Sequence, residues 1–201
     1  MQYVGPASAQ RVVVHLLDWH YVPRDLCQAD GIDFDANLAE VEKVQADQLE
    51  IMRWLIREHG VKEIYSEGLT EKKMPDVRVR VDVLNDLNRI EDLGGMDAET
   101  ARRQRELILE IGTPGRLLLT KEIDVLPLEE DDAHGGARPI AEADGVRYSP
   151  VRLDARRRAM VRRLAATGLA VLVLGGSHDL GPHFDTGVLY LRVTPQSYPA
   201  N

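Results

Sequence analysis

Arg11–Leu17 reads RVVVHLL and runs directly into Asp18-Trp19-His20. Its β-branched and apolar residues alternate on neither face, as expected of a strand covered on both sides in a parallel sheet. Two further runs share its design. Val61–Tyr65 (VKEIY) ends in Ser66-Glu67-Gly68, and Leu169–Leu174 (LAVLVL) ends in Gly175-Gly176-Ser177-His178-Asp179. Between the first two, Leu38, Val41, Val44, Leu49, Met52, Leu55 and Ile56 form a helical stripe, predicting a helix from about Asn37 to His59 with Gly60 as its C-terminal cap. Strand, helix and strand with short joints make a right-handed βαβ unit. That unit puts Asp18, His20 and Glu67 on one sheet edge, with Glu67 arriving from the neighbouring strand.

The remaining pattern extends the same architecture. Pro75 to Leu93 reads as a charged-faced helix. Asp97 is placed to cap another that ends near Gly112, with Glu99 in its first turn, and Pro114 to Thr120 reads as a further short one. Ile123–Leu128 (IDVLPL) is a strand candidate followed by four acids, with Pro127 belonging at its end. A helix from Val151 to Thr167 and a last strand from Val188 to Val193 complete the chain. Tyr21 to Asp35 and a flexible stretch of about 131–149 read as loops. The expected fold is a single α/β domain with a mostly parallel central β-sheet flanked by helices.

At 201 residues the chain can bury a substantial core. Its net charge of −8 argues against a nucleic-acid partner. The basic run Arg152–Arg163 reads as the solvated face of a helix, with an anion or partner patch as its second reading. One cysteine, Cys27, rules out an intramolecular disulfide and any cysteine-based zinc site. No window approaches the ~20 apolar residues of a membrane span, and no secretory signal is visible, so a soluble cytoplasmic protein is expected.

Ligands of open α/β sheets bind outside the carboxyl ends of the strands. Asp18, His20, Glu67 and His178 all lie there, and together they suit a divalent metal (Mn, Fe, Co or Zn by donor type) or the activation of a water. His20, Glu67 and His178 are the catalytic candidates, with Glu67 as general base. Asp179 is placed to fix the His178 tautomer. Tyr21 and Trp19 flank His20 and can wall a pocket, which makes Tyr21 a candidate cofactor contact. His15 reads as a buried packing residue, whereas His134 and His183 have no supporting pattern.

The order Asp18-x-His20, Glu67, then Gly-x-x-His178, carried by HLLDWH and LVLGGSHDL, resembles the superfamily of ChaN-like haem-binding proteins, erythromycin esterases and TIKI/TraB proteins. There the first strand usually ends in Gly-Glu-x-His, where this chain has Leu17-Asp18. The resemblance implies a hydrolase of ester or peptide bonds acting on a small-molecule or peptide ligand, with or without a divalent metal. Its alternative is a non-catalytic haem- or ligand-binding protein with His20, His178 or Tyr21 on the iron. Members that bind haem between subunits make a homodimer part of that alternative.

Overall fold

A computed structural model describes residues 2–4, 11–136, 140–142, 145–147, 149–164 and 168–199. Its centre is a six-stranded sheet in the order β1-β8-β2-β7-β3-β4. The strands are β1 (Gln2–Val4), β2 (Arg11–Asp18), β3 (Glu63–Ser66), β4 (Asp124–Pro127), β7 (Leu169–Gly175) and β8 (Val188–Val193). The five from β8 across to β4 run parallel, and β1 pairs antiparallel with β8 at the edge. The fold is therefore α/β with a mostly parallel sheet, as the apolar runs predict. Pro127 ends β4, where its missing N–H costs the ladder nothing.

One expectation about the order is corrected. β3 is not the neighbour of β2, because β7 lies between them, pairing Asp18 with Gly175 on one side and Ser66 with Val173 on the other. The βαβ reading supplied direction and edge; the insertion of a strand more than a hundred residues later could not be seen from it.

Side chains alternate across the central strands and bury both faces. Val14, Leu16, Ile64, Val125, Val171 and Val173 pack against Leu49, Met52 and Leu55 of α2 (Phe34–His59) and Leu117 of α4 (Ala98–Leu119). On the other face Val13, Tyr65, Leu172, Leu174 and Tyr190 meet Met160 and Leu164 of α6 (Pro150–Leu164). Residues 165–167, the expected end of that helix, lie outside the described residues. A smaller cluster of Cys27, Phe34, Leu38, Val41 and Leu109 sits against Trp19, Tyr21 and Val22 and anchors the segment after β2.

α2 starts three residues before the expected Asn37, because Asp33 caps it by accepting from the Ala36 N–H at 3.0 Å. Gly60 closes it in a left-handed conformation. The stretch read as a loop from Tyr21 to Asp35 contains a short helix, α1 (Arg24–Asp30), whose one buried side chain is Cys27. α3 (Met74–Asp92) follows a 3₁₀ turn at Glu71–Lys73. The stretch expected to be flexible also holds structure: α5 (Asp131–Gly136) and a hairpin of β5 (Ile140–Glu142) and β6 (Gly145–Arg147). Residues 137–139, 143–144 and 148 of it lie outside the described residues. Among the described residues no helix is long and apolar enough to cross a membrane.

Asp97 caps α4 by accepting from the Thr100 N–H at 2.7 Å, as its spacing predicts. The helix then breaks at Gly112 (φ 65°, ψ −174°), which separates it into the two helices that the sequence suggests. That backbone conformation is essentially restricted to glycine. The nearest atom to a Cβ built there is 3.7 Å away, so the restriction is conformational rather than steric crowding. Gly112→Ala is therefore expected to lower unfolding free energy by about 1–3 kcal/mol in urea denaturation.

Candidate functional site

The four residues expected to converge do so. His20 donates from Nδ1 to Asp18 Oδ2 at 2.8 Å, and its Nε2 lies 3.2 Å from Glu67 Oε2. Glu67 Oε1 is 3.1 Å from His178 Nε2. β2, β7 and β3 deliver these groups, and their parallel direction is the reason that all four reach one edge.

Asp18 is held from behind. Gln48, fully buried on α2, donates from Nε2 to both Leu17 O and Asp18 Oδ1 at 2.9 Å. Thr113, just past the break in α4, donates to Gln48 Oε1 at 2.6 Å. The break at Gly112 thus brings a hydroxyl to the support of the Asp18–His20 pair.

β7 contributes space as well as His178. A Cβ at Gly175 would stand 2.6 Å from His20 Nε2 and 3.3 Å from Glu67 Oε2. The Gly175 N–H donates to Glu67 Oε2 at 2.6 Å. Glycine is required because the strand inserted between β2 and β3 passes directly beneath the His20–Glu67 contact.

Four residues that the sequence did not mark, Arg156, Glu129, His134 and Lys73, complete the site. Arg156 of α6, read as part of a solvated face, is largely buried; its guanidinium grips Glu129 (Nε–Oε2 2.7 Å, Nη2–Oε1 2.5 Å) and reaches Glu67 Oε1 at 3.3 Å. Glu129 follows β4 and is 1% exposed. It also accepts from the Gly68 N–H at 2.7 Å and from His134 Nδ1 at 2.9 Å. Lys73 Nζ then donates to His134 Nε2 at 3.0 Å and to Gly68 O at 2.9 Å. The run of acids after Ile123–Leu128 was the available signal for Glu129. Nothing local marks Arg156 among six arginines of one helix or His134 in a glycine-rich stretch.

The electrostatics follow from these partners. Both His20 nitrogens face carboxylates, and its pKa rises to about 10 through the hydrogen bonds to Asp18 and Glu67. His20 is therefore an imidazolium at neutral pH, with a side chain 53% exposed. Burial opposes ionisation of Glu67, but hydrogen bonds from His178 and His20 outweigh it and hold the carboxyl well below its ordinary range. Both Glu67 oxygens are occupied by donors, and through them it holds the two imidazoles. Glu129 is treated alike: burial opposes its charge, and Arg156 more than offsets that.

The role expected of Asp179 is also corrected. Its Oδ1 accepts from the Gly181 N–H at 3.0 Å, while His178 Nδ1 is buried without a partner. Tyr21 lines the cleft as expected, packed edge-on to Phe34. Burial, with Glu106 and Glu110 nearby, pushes its phenol up. His15 is the packing histidine anticipated: Nε2 donates to Leu174 O at 2.8 Å, Nδ1 lies against the Tyr190 hydroxyl, and burial lowers its pKa to about 4.

His20 stands between two cavities. One of about 640 Å³ is walled by Trp19, Val22, Ile32 and Tyr198 beside Gly175 and Gly176. The other, of about 400 Å³, runs over Glu67 and Arg156 to His134. Among the described residues no three His, Cys, Asp or Glu side chains are arranged to hold a metal ion. Both His20 nitrogens face carboxylates, and the unpartnered nitrogen of His178 is buried. Compared with known proteins, the chain matches no family model, no curated protein and no solved structure.

Gly175→Ala is expected to leave the fold intact, since its backbone is in an ordinary strand conformation, but to push His20 off Glu67. The His20 imidazole, followed by NMR titration, should then fall from about 10 toward its ordinary value of about 6.5. The raised His20 also makes stability pH-dependent. Its contribution is complete below about pH 6.5, where the unfolded imidazole is protonated too, and is lost as pH climbs through about 10. The melting-temperature advantage of the unmodified protein over His20→Gln should therefore shrink steadily between those two values.

Proposed function

We propose that the protein is a hydrolase of ester or peptide bonds, with His20 as the proton donor of the strand-end cleft. The observation that carries this reading is the His20 imidazole, half exposed at the junction of two cavities, with both ring nitrogens against carboxylates, Asp18 at 2.8 Å and Glu67 at 3.2 Å. The resemblance of Asp18-x-His20, Glu67 and Gly-x-x-His178 to the esterase and peptidase members of the ChaN/TIKI superfamily points the same way.

The chemistry uses the longer of the two contacts. Asp18 keeps the Nδ1 proton, so the ring does not rotate. Nε2–H exchanges its weaker partner, Glu67, for the leaving oxygen or nitrogen of a bound substrate. As the carbon–heteroatom bond breaks, that proton passes to the leaving group, and the neutral imidazole left between two carboxylates recovers a proton from solvent. Glu67, kept ionised by His178, Arg156 and the Gly175 N–H, stabilises the imidazolium without being consumed. A positioned acid of this kind contributes typically 10²–10⁴-fold.

A second reading rests on the larger cavity, whose apolar wall of Trp19, Val22 and Ile32 suits a flat ligand, haem included, held without turnover. One preparation tests both. The purified protein, with its metal content and Soret absorbance recorded, is assayed on a panel of p-nitrophenyl esters and short peptides. Turnover that falls by about 10²-fold or more in His20→Gln, and that survives chelation, is the expected outcome. A Soret band without turnover would favour the carrier, and turnover abolished by chelation would restore the metal.

A further inference from the structure

An acid alone does not hydrolyse an acyl bond: the attacking water must lose a proton to a second group. We propose that His134 is that group, the general base of the cleft, facing His20 across the bound substrate. The inference rests on the hydrolase reading and adds to it a catalytic residue.

Three observations assign the role. The first is protonation by partners. Glu129, ionised and gripped by Arg156, only accepts hydrogen bonds, so the proton between it and His134 sits on Nδ1. The ammonium of Lys73 only donates, so Nε2 of His134 is an acceptor. His134 is thus a neutral imidazole with its lone pair on Nε2. The second is orientation. A buried carboxylate behind Nδ1 fixes the ring and stabilises the imidazolium that forms when Nε2 takes a proton, the arrangement by which acids support histidine bases in hydrolytic triads. The third is placement. His134 and His20 line the same cavity of about 400 Å³, with Glu67 and Arg156 among its walls. The imidazolium and the neutral imidazole in one cleft are held in opposite states by different partners, which is how acid and base roles are divided between like groups.

The step balances. Water oxygen bonds to the acyl carbon while its proton moves to His134 Nε2, displacing Lys73 from that nitrogen. The acyl–heteroatom bond breaks and the leaving group takes the proton of His20 Nε2. One proton gained at His134 and one lost at His20 are exchanged through solvent to restore the resting state. The charged and titratable groups around His134 are Lys73 at the start of α3, Glu129 after β4, Arg156 of α6 and Asp131 of its own helix, with Glu67, His20, Tyr21 and Glu110 across the cavity.

The test compares pH–rate profiles of the unmodified protein, His134→Gln and Lys73→Met on the best ester of the panel, with folding checked by circular dichroism. The unmodified protein should lose kcat/KM on acidification, since a general base must be unprotonated to take the proton of water. In His134→Gln the rate should fall at least about 100-fold and the acid limb should disappear. In Lys73→Met the acid limb should move to higher pH, because a positive charge 3.0 Å from Nε2 no longer opposes protonation. A His134 that merely pinned α5 in place would give lowered rates with no movement of that limb, which would overturn the proposal. Rates in His134→Gln within about twofold of normal, with His20→Gln inactive, would overturn it while leaving the hydrolase reading standing. An unmodified protein that cleaves nothing on the panel would overturn both.

Discussion

An ionised carboxylate in a largely enclosed position has to be matched by donors, and Glu67 shows how fully this chain does so. His20 reaches it from the end of β2, the Gly175 N–H and His178 from the end of β7, and Arg156 from α6. Four donors from three elements meet one side chain from a fourth, β3. Removing a partner would strand a charge whose desolvation is no longer offset, which is why such clusters stand or fall together. The cluster ties the ends of β2, β3 and β7 to one another and to α6 in addition to the ladder of backbone hydrogen bonds.

Around it the charges alternate. Asp18, Glu67 and Glu129 are interleaved with His20, Arg156 and Lys73, each anion touching at least one cation or imidazole. The arrangement leaves the cleft preorganised: the side chains that would meet a substrate are already fixed by others that would not. Gln48 and Thr113 extend the support behind Asp18 into the buried layer between α2 and α4. A backbone break at Gly112 is therefore linked to His20 through three hydrogen bonds, Thr113 to Gln48, Gln48 to Asp18 and Asp18 to His20.

The histidines show how little the residue type says alone. His15 is buried between a carbonyl and a tyrosine hydroxyl, and desolvation drives it to about 4. His20, five residues on, lies between two carboxylates and rises to about 10. His134 lies between a carboxylate and an ammonium. One chemical group thus meets three different surroundings, set by the hydrogen-bond character of its neighbours.

By itself the sequence determined the strands, their common direction and the residues that follow them. Apolar runs buried on both faces require a covered parallel sheet, and parallel strands put Asp18, His20, Glu67 and His178 at one edge whatever their order. Only the tertiary structure decided that order. The insertion of β7 between β2 and β3 rests on pairing between segments more than a hundred residues apart, and no local pattern encodes it. That insertion made Gly175 the floor of the site. Packing of α6 across one face, in turn, brought Arg156 to Glu67 and Glu129. The roles shifted for the same reason. Whether Glu67 is a base or a clamp, and whether Asp179 or Glu129 orients an imidazole, depends on donors that reach the site from other elements, and their distances exist only in the folded chain.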